Sequence, residues 1–144
     1  MNTRAKGNTF QVWIRRFLVE RGWIVRNFPL TIVPIVVKGK KIFRPLKQDA
    51  WGSDLIARRP GTLLWIQASC SGGIAKRVEE FKQYFSFLLP GEQLQIWIKT
   101  PRGIINISEV DRELGIAVPL GKIIRGAWYA TEGIKWEFGE EIKS

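Results

Sequence analysis

The sequence predicts a mixed α/β fold. Two segments, 9–21 and 75–88, carry apolar residues at helical spacing. The run 63–68, Leu-Leu-Trp-Ile-Gln-Ala, is apolar on both faces and reads as a central strand. Further strand-like runs lie between the two helices and after the second. The order is helix, strands, helix, strand, then additional β structure.

Phe10, Trp13, Ile14, Phe17 and Leu18 fall at i, i+3, i+4, i+7 and i+8, which is one helical stripe. Asn8 or Thr9 caps this helix and Gly22 stops it. Trp23, Val25 and the apolar run 30–37 read as extended, with Pro29 and Pro34 placing them at an edge or a bend. Lys38-Gly39-Lys40 is a hairpin turn and 42–46 its return strand. Residues 53–58 form a short strand, and Arg59-Pro60-Gly61 turns the chain into 63–68. Ser71-Gly72-Gly73 breaks that strand. The second helix keeps its period through Ile74, Val78, Phe81, Phe85 and Leu88 and ends at Pro90-Gly91. Residues 94–99 and 104–107 read as strands. In the tail, 123–130 and 134–138 read as two strands around Thr131-Glu132-Gly133.

A length of 144 residues predicts one domain. Lys and Arg number 23 against 13 Asp and Glu, a net charge of +10. The excess lies in residues 1–82, with 16 basic against 5 acidic side chains; the remainder carries 7 against 8. A basic half predicts a surface for a polyanion, with nucleic acid the leading candidate, or else a solvated basic surface. An anionic membrane fits less well, because the basic residues do not gather on one amphipathic helix. No long apolar run and no basic-then-apolar leader is present, which predicts an intracellular protein, cytoplasmic and nucleoid-associated, with no membrane partner. The absence of histidine removes His-based triads, His-ligated zinc and His general bases. The one cysteine, Cys70, excludes an intramolecular disulfide and fits a reducing compartment. Aspartate occurs only at 49, 54 and 111, so a bound metal would take oxygen ligands, as magnesium or manganese does.

Three stretches carry the chemistry: Lys6-Gly7-Asn8-Thr9-Phe10-Gln11 leading into the first helix, Gly52-Ser53-Asp54-Leu55-Ile56-Ala57, and Trp65-Ile66-Gln67-Ala68-Ser69. Strand alternation puts Gln67 and Ser69 on one face. Asp54 begins the preceding strand, so a hairpin would carry an acid on one arm and paired polar groups on the other. This arrangement resembles the PD-(D/E)XK, or restriction-endonuclease-like, nuclease superfamily, and in particular the archaeal Holliday junction resolvases. That family reads Lys-Gly and then Glu on its first helix, a Pro-Asp-Ile-like step, Glu-x-Lys on the next strand, and a second helix. The resemblance covers about residues 5–100. It implies an αβββαβ core with a mixed central sheet flanked by helices; the C-terminal β extension, about 110–144, lies outside it. It further implies a structure-selective endodeoxyribonuclease dependent on Mg2+ or Mn2+. Such an enzyme hydrolyses phosphodiesters in branched or junction DNA, in recombination or repair, as a homodimer. In the family, carboxylates hold the metal and the lysine orients or activates water, while the metal polarises the phosphate.

This chain departs from the pattern. Gln11 stands where the family has the helix Glu, Gln67 where it has the Glu of Glu-x-Lys, and Ser69 where it has the Lys; Asp54 is retained. The resemblance therefore implies a catalytic group of Asp54, Gln67, Ser69 and Gln11, with Lys76 of the second helix replacing the lysine. Asp54 and Gln67 are the implied metal ligands; Asp49 joins them if Ala50-Trp51-Gly52 turns the chain back, and Glu80 is a further candidate because some relatives in the superfamily take a ligand from the second helix. Glu20 is nine residues past Gln11, about 13.5 Å along a helix, too far for a swap. Lys76, Glu79 and Glu80 also read as an ordinary solvated helix face. Gln67 inside an apolar strand needs partners, either a metal or a polar network around Asp54. Ser69 and Cys70 have no histidine to activate them as nucleophiles.

For nucleic-acid contacts, Lys38, Lys40, Lys41, Arg44 and Lys47 make a basic hairpin suited to clamp phosphates. Arg58 and Arg59 flank the site hairpin and, with Lys6, Lys76 and Arg77, add further cations, and Gly72-Gly73 lets backbone amides approach a phosphate. Trp51 stacks on a base or folds onto the core. Trp128 and Trp136 bury a partner surface or cover the sheet. Two readings stand: a metal-dependent nuclease with an altered motif, and a catalytically inactive DNA-binding protein on the same scaffold. An RNA-binding module is a third.

Overall fold

A computed structural model of the chain describes residues 3–27, 30–37, 39–47, 54–70 and 73–138, with only the backbone described in 3–8, 30–37 and 40–47. The first apolar stripe forms helix α1 (Thr3–Val19), which starts earlier than the stripe alone indicates. Phe10, Ile14, Phe17 and Leu18 are its buried side. The helix closes in a Schellman pattern: Trp23 N–H bonds Leu18 O at 3.0 Å and Gly22 N–H bonds Val19 O at 3.1 Å. Gly22 sits at φ 87°, a conformation that favours glycine.

Strand β1 (Ile24–Asn27) follows. Strands β2 (Leu30–Val37) and β3 (Lys40–Lys47) pair antiparallel with each other in a separate two-stranded sheet. The chain then forms β4 (Leu55–Arg59), β5 (Thr62–Ser69), helix α2 (Ile74–Lys82), β6 (Glu92–Lys99), β7 (Ile105–Asp111), β8 (Ile116–Ile124) and β9 (Ala127–Ala130). These strands and β1 make a seven-stranded mixed sheet in the order β1-β4-β5-β6-β7-β8-β9. Among the described strands, only the β5–β6 pair is parallel, and α2 makes its crossover; the other pairs are antiparallel. The class is α/β, as the sequence predicts.

Alternation along the central strands separates two cores. Leu64 and Ile66 of β5 and Trp97 of β6 pack with Phe10, Ile14 and Phe17 of α1. Trp65 of β5 and Leu94 and Ile96 of β6 pack instead with Val78 and Phe81 of α2. The helices therefore cover opposite faces, and β5 is apolar on both sides because both are covered. α2 is shorter than the periodicity predicts: it stops at Lys82, and Phe85–Phe87 form a short 3-10 turn before Pro90-Gly91.

The tail corrects the sequence reading. The expected strand 123–130 is two strands, broken at Arg125 (φ 51°) and Gly126 (φ 79°), the pair of left-handed residues that makes a tight hairpin. The strand 116–124 is also new. It contains Pro119, which sits where the β7–β8 register slips between Ile107 and Ser108, a bulge at which proline is tolerated. Gly121 is fixed by close approach, since a Cβ there would run into Tyr129 O and the Trp128 ring.

Residues 134–138 are not a strand, although their aromatic alternation resembles one. Their side chains fold onto the sheet instead. Phe138 meets Phe17, Trp97, Trp128 and Trp136 at ring separations of 4.3–5.3 Å, all edge-to-face. Its carbonyl accepts bonds from Trp23 Nε1 at 2.8 Å and Arg59 Nη1 at 2.7 Å. Of the two readings of Trp128 and Trp136, covering the sheet is the one observed. No helix among the described residues is long and apolar enough to cross a membrane.

Glu109 on β7 is half-buried, and burial first, then the neighbouring Asp111, raises its carboxyl above the ordinary value of 4.5. The folded state then keeps this proton to higher pH than the unfolded chain. Stability falls as pH rises from about 4.5 through the folded value. The expected outcome is that Glu109→Gln matches wild type in thermal melts near pH 4 and exceeds it near pH 7.

Candidate functional site

The site forms at one end of the sheet, where parallel β5 and β6 reach their carboxyl ends and α2 begins. In open α/β sheets ligands bind outside the carboxyl ends of parallel strands. Asp54 stands just before β4 and is 5% exposed. Its N–H bonds Ile66 O at 2.8 Å, and its Oδ2 accepts the Ala68 N–H at 3.0 Å. The two contacts span Gln67, so the carboxylate is fixed beside that residue. The reason is local: the β4–β5 register runs out at Leu55–Ile66, and the Asp54 side chain supplies an acceptor to the next amide along β5.

Gln67 and Ser69 share a face of β5, as strand alternation requires. They pair with Ile96 and Ile98 of β6, and Gln67 is half-buried. Ser69 is 6% exposed, and its Oγ accepts a bond from Arg77 Nη2 at 2.9 Å. Arg77 lies in the first turns of α2 and is itself half-buried. Gln11 comes from α1. Its Oε1 accepts from Asn27 Nδ2 at 3.5 Å, and Asn27 pairs with Leu55, the residue after Asp54. Gln11 therefore stands at the same end of the sheet, reached through the last residue of β1.

The expected stand-in cation, Lys76, is exposed on α2, and the neighbouring Arg77 is the cation that reaches Ser69. The helix period explains the exchange. Arg77 is three residues after Ile74 and four before Phe81, so it leans toward the sheet, while Lys76 points away. That spacing was readable in the sequence. Glu79 is exposed and paired with Lys82. Glu80 is likewise exposed; both acids lie on the solvated face of α2.

Arg58 and Arg59 do not flank the site. They lie at the far end of β4, four and five residues from Asp54, roughly 13–17 Å along a strand. Arg59 holds the Phe138 carbonyl and stands 5.2 Å over the Trp23 ring, so its role is in packing the tail. Lys38, Asp49, Trp51 and Gly72 lie outside the described residues, as do the side chains of Lys6, Lys40, Lys41, Arg44 and Lys47. Among the described residues, no group of three or more His, Cys, Asp or Glu could hold a metal ion.

The arrangement brings to one end of the sheet a buried, oriented carboxylate, a guanidinium held on Ser69 and two side-chain amides, Gln67 beside the carboxylate and Gln11 on the opposite face that α1 covers. Such a set matches a phosphodiester: arginine binds phosphate oxygens in a fixed fork, and the amides add neutral donors and acceptors. No protein-family model matches the chain, and no curated protein matches it.

Proposed function

We propose that this protein binds DNA at the Asp54–Arg77 end of the sheet and hydrolyses its phosphodiester backbone there, as a metal-dependent, structure-selective endonuclease on a restriction-endonuclease-like scaffold. The observation that carries the reading is the Arg77 guanidinium on Ser69 Oγ, at the same sheet end as buried Asp54. Ser69 stands at the lysine position of the Glu-x-Lys pattern, so a cation from α2 returns positive charge to that position. The order α1, β1, β4, β5, α2, β6, with β5 and β6 parallel, supports the αβββαβ reading, the β2–β3 hairpin being an insertion.

Asp54 offers one anionic oxygen set and Gln67 one amide oxygen. That donor set fits a magnesium ion completed by substrate phosphates, as sites with one or two carboxylates are. When bound, the ion supplies Lewis-acid polarisation and a water of lowered pKa. Arg77 binds a phosphate oxygen and stabilises the charge that builds on it in the transition state. It does not take the proton from water, since a guanidinium stays protonated. The Ala68 N–H holds one oxygen of the Asp54 carboxylate in place.

A second reading is favoured by that same bond. Oδ2 of Asp54 serves the β4–β5 junction, which accounts for the residue without catalysis and leaves a DNA-binding protein. Arg77→Ala separates a bound phosphate from a packing role. DNA affinity is expected to fall about tenfold or more, from loss of a charged hydrogen bond worth ~1.5–3 kcal/mol. The salt dependence of binding is expected to drop by about one phosphate. Unchanged DNA affinity and salt dependence in a folded Arg77→Ala protein contradicts the proposal. Tighter binding of RNA than of matched DNA in competition contradicts the choice of nucleic acid.

A further inference from the structure

The geometry points to a second DNA-contacting surface, a groove between α1 and the outer edge of β1 that takes the phosphate backbone leading into the Asp54–Arg77 end. This inference rests on the DNA-binding reading and extends it to residues outside the catalytic group.

The groove encloses about 500 Å³ and is lined by Arg15 and Val19 of α1 and by Ile24, Val25, Arg26 and Asn27 of β1. Each charged residue of this lining is an arginine, so the groove is complementary to a polyanion. Among the described strands, β1 stands first in the seven-stranded sheet and bonds only β4, which makes its other side the edge of that sheet. Gln11, Arg15 and Val19 recur every fourth residue and line up along α1 beside that edge. Arg15 and Arg26 are both exposed, and Ile24, which shares the lining, is 68% exposed. An apolar wall beside the guanidinium groups displaces water and strengthens their attraction for a phosphate.

Continuity with the site sets the direction. Asn27 lines the groove and also donates to Gln11, and its strand partner is Leu55, next to Asp54. A strand of DNA lying in the groove thus runs out at the candidate site. Arginine on an exposed edge also discourages strand pairing between molecules, which is the competing account of Arg26.

Salt-dependent binding distinguishes the two. Fluorescence anisotropy with the full chain and a labelled DNA duplex is measured across a salt series for wild type, Arg15→Gln, Arg26→Gln and the double variant. Lys122→Gln on β8, five strands away in sheet order and roughly 24 Å distant, serves as the control. Each groove variant is expected to weaken binding several-fold and to flatten the slope of log K against log salt by about 0.9, the double by about twice that. The control is expected to keep the wild-type slope. Circular dichroism melts confirm that the variants remain folded. Groove variants with the slope of the control, beside a wild type that binds DNA, overturn the groove and leave the DNA-binding reading standing. A wild type with no salt-sensitive DNA binding overturns both.

Discussion

Asp54→Asn is expected to abolish metal-dependent cleavage while keeping the fold and DNA binding. The substitution preserves an oxygen that accepts the Ala68 N–H, so the β4–β5 junction keeps its bond. What it removes is the negative charge, on which the proposed metal depends because Gln67 brings none. Loss of a metal ligand of this kind costs at least about 100-fold in turnover when the ion also activates water. Asp54→Ala differs in a way that tests the assignment. It removes the acceptor as well and leaves the half-buried Ala68 N–H short of a partner, which costs about 1 kcal/mol. Cleavage assays and thermal melts on both variants give four values. Loss of cleavage in both, with destabilisation in Ala but little in Asn, fits the double role. Cleavage by Asp54→Asn at the wild-type rate contradicts the metal role. Equal, large destabilisation in both contradicts the structural one.

Phe138→Ala is expected to produce the largest loss of stability, about 3–5 kcal/mol. The ring is 2% exposed and meets four aromatic neighbours from α1, β6, β9 and its own segment. Truncation leaves a cavity at the centre of the α1-side core and removes edge-to-face contacts that add to area burial. The segment also carries the carbonyl that binds Trp23 and Arg59, so a loosened tail loses those bonds as well. Urea unfolding of the variant measures the effect. A change below about 1 kcal/mol would mean that 134–138 is an appendage and not part of the core.

The elements governed by one clear period were legible in the sequence. The α1 stripe at 10, 13, 14, 17 and 18 and the doubly apolar β5 have no competing pattern, and Gly22 gives a stop signal with a mechanism. The misread segment 134–138 carries two competing signals. Ile134, Trp136 and Phe138 alternate as a strand does, but large aromatics near a chain end satisfy the same pattern by inserting into a sheet without pairing to it. The strand 116–124, which no alternation announced, contains Pro119, a residue with no N–H that the bulge beside it accommodates.

The site was legible in the same uneven way. Asp54 stood out because an acid before an apolar run must sit at the core's edge, and Gln67 and Ser69 followed from alternation. Arg77 was passed over for Lys76 because a long cation on an amphipathic helix reads as flank. The distinction between neighbours one residue, or about 100°, apart depends on where the helix faces the sheet, which is a tertiary fact. Arg58 and Arg59 were placed near the site because they share a hairpin with Asp54. A five-residue strand is long enough to carry them to the opposite end.

The most direct test of the central claim is a denaturing-gel assay of the wild-type protein on an end-labelled four-way DNA junction and its linear duplex, with magnesium, manganese or a chelator present. The account predicts discrete strand cuts with either metal, faster on the junction and absent with the chelator. Intact DNA in all lanes, under conditions where anisotropy shows the junction fully bound, would contradict hydrolysis and leave a protein that grips DNA through the same end of the sheet.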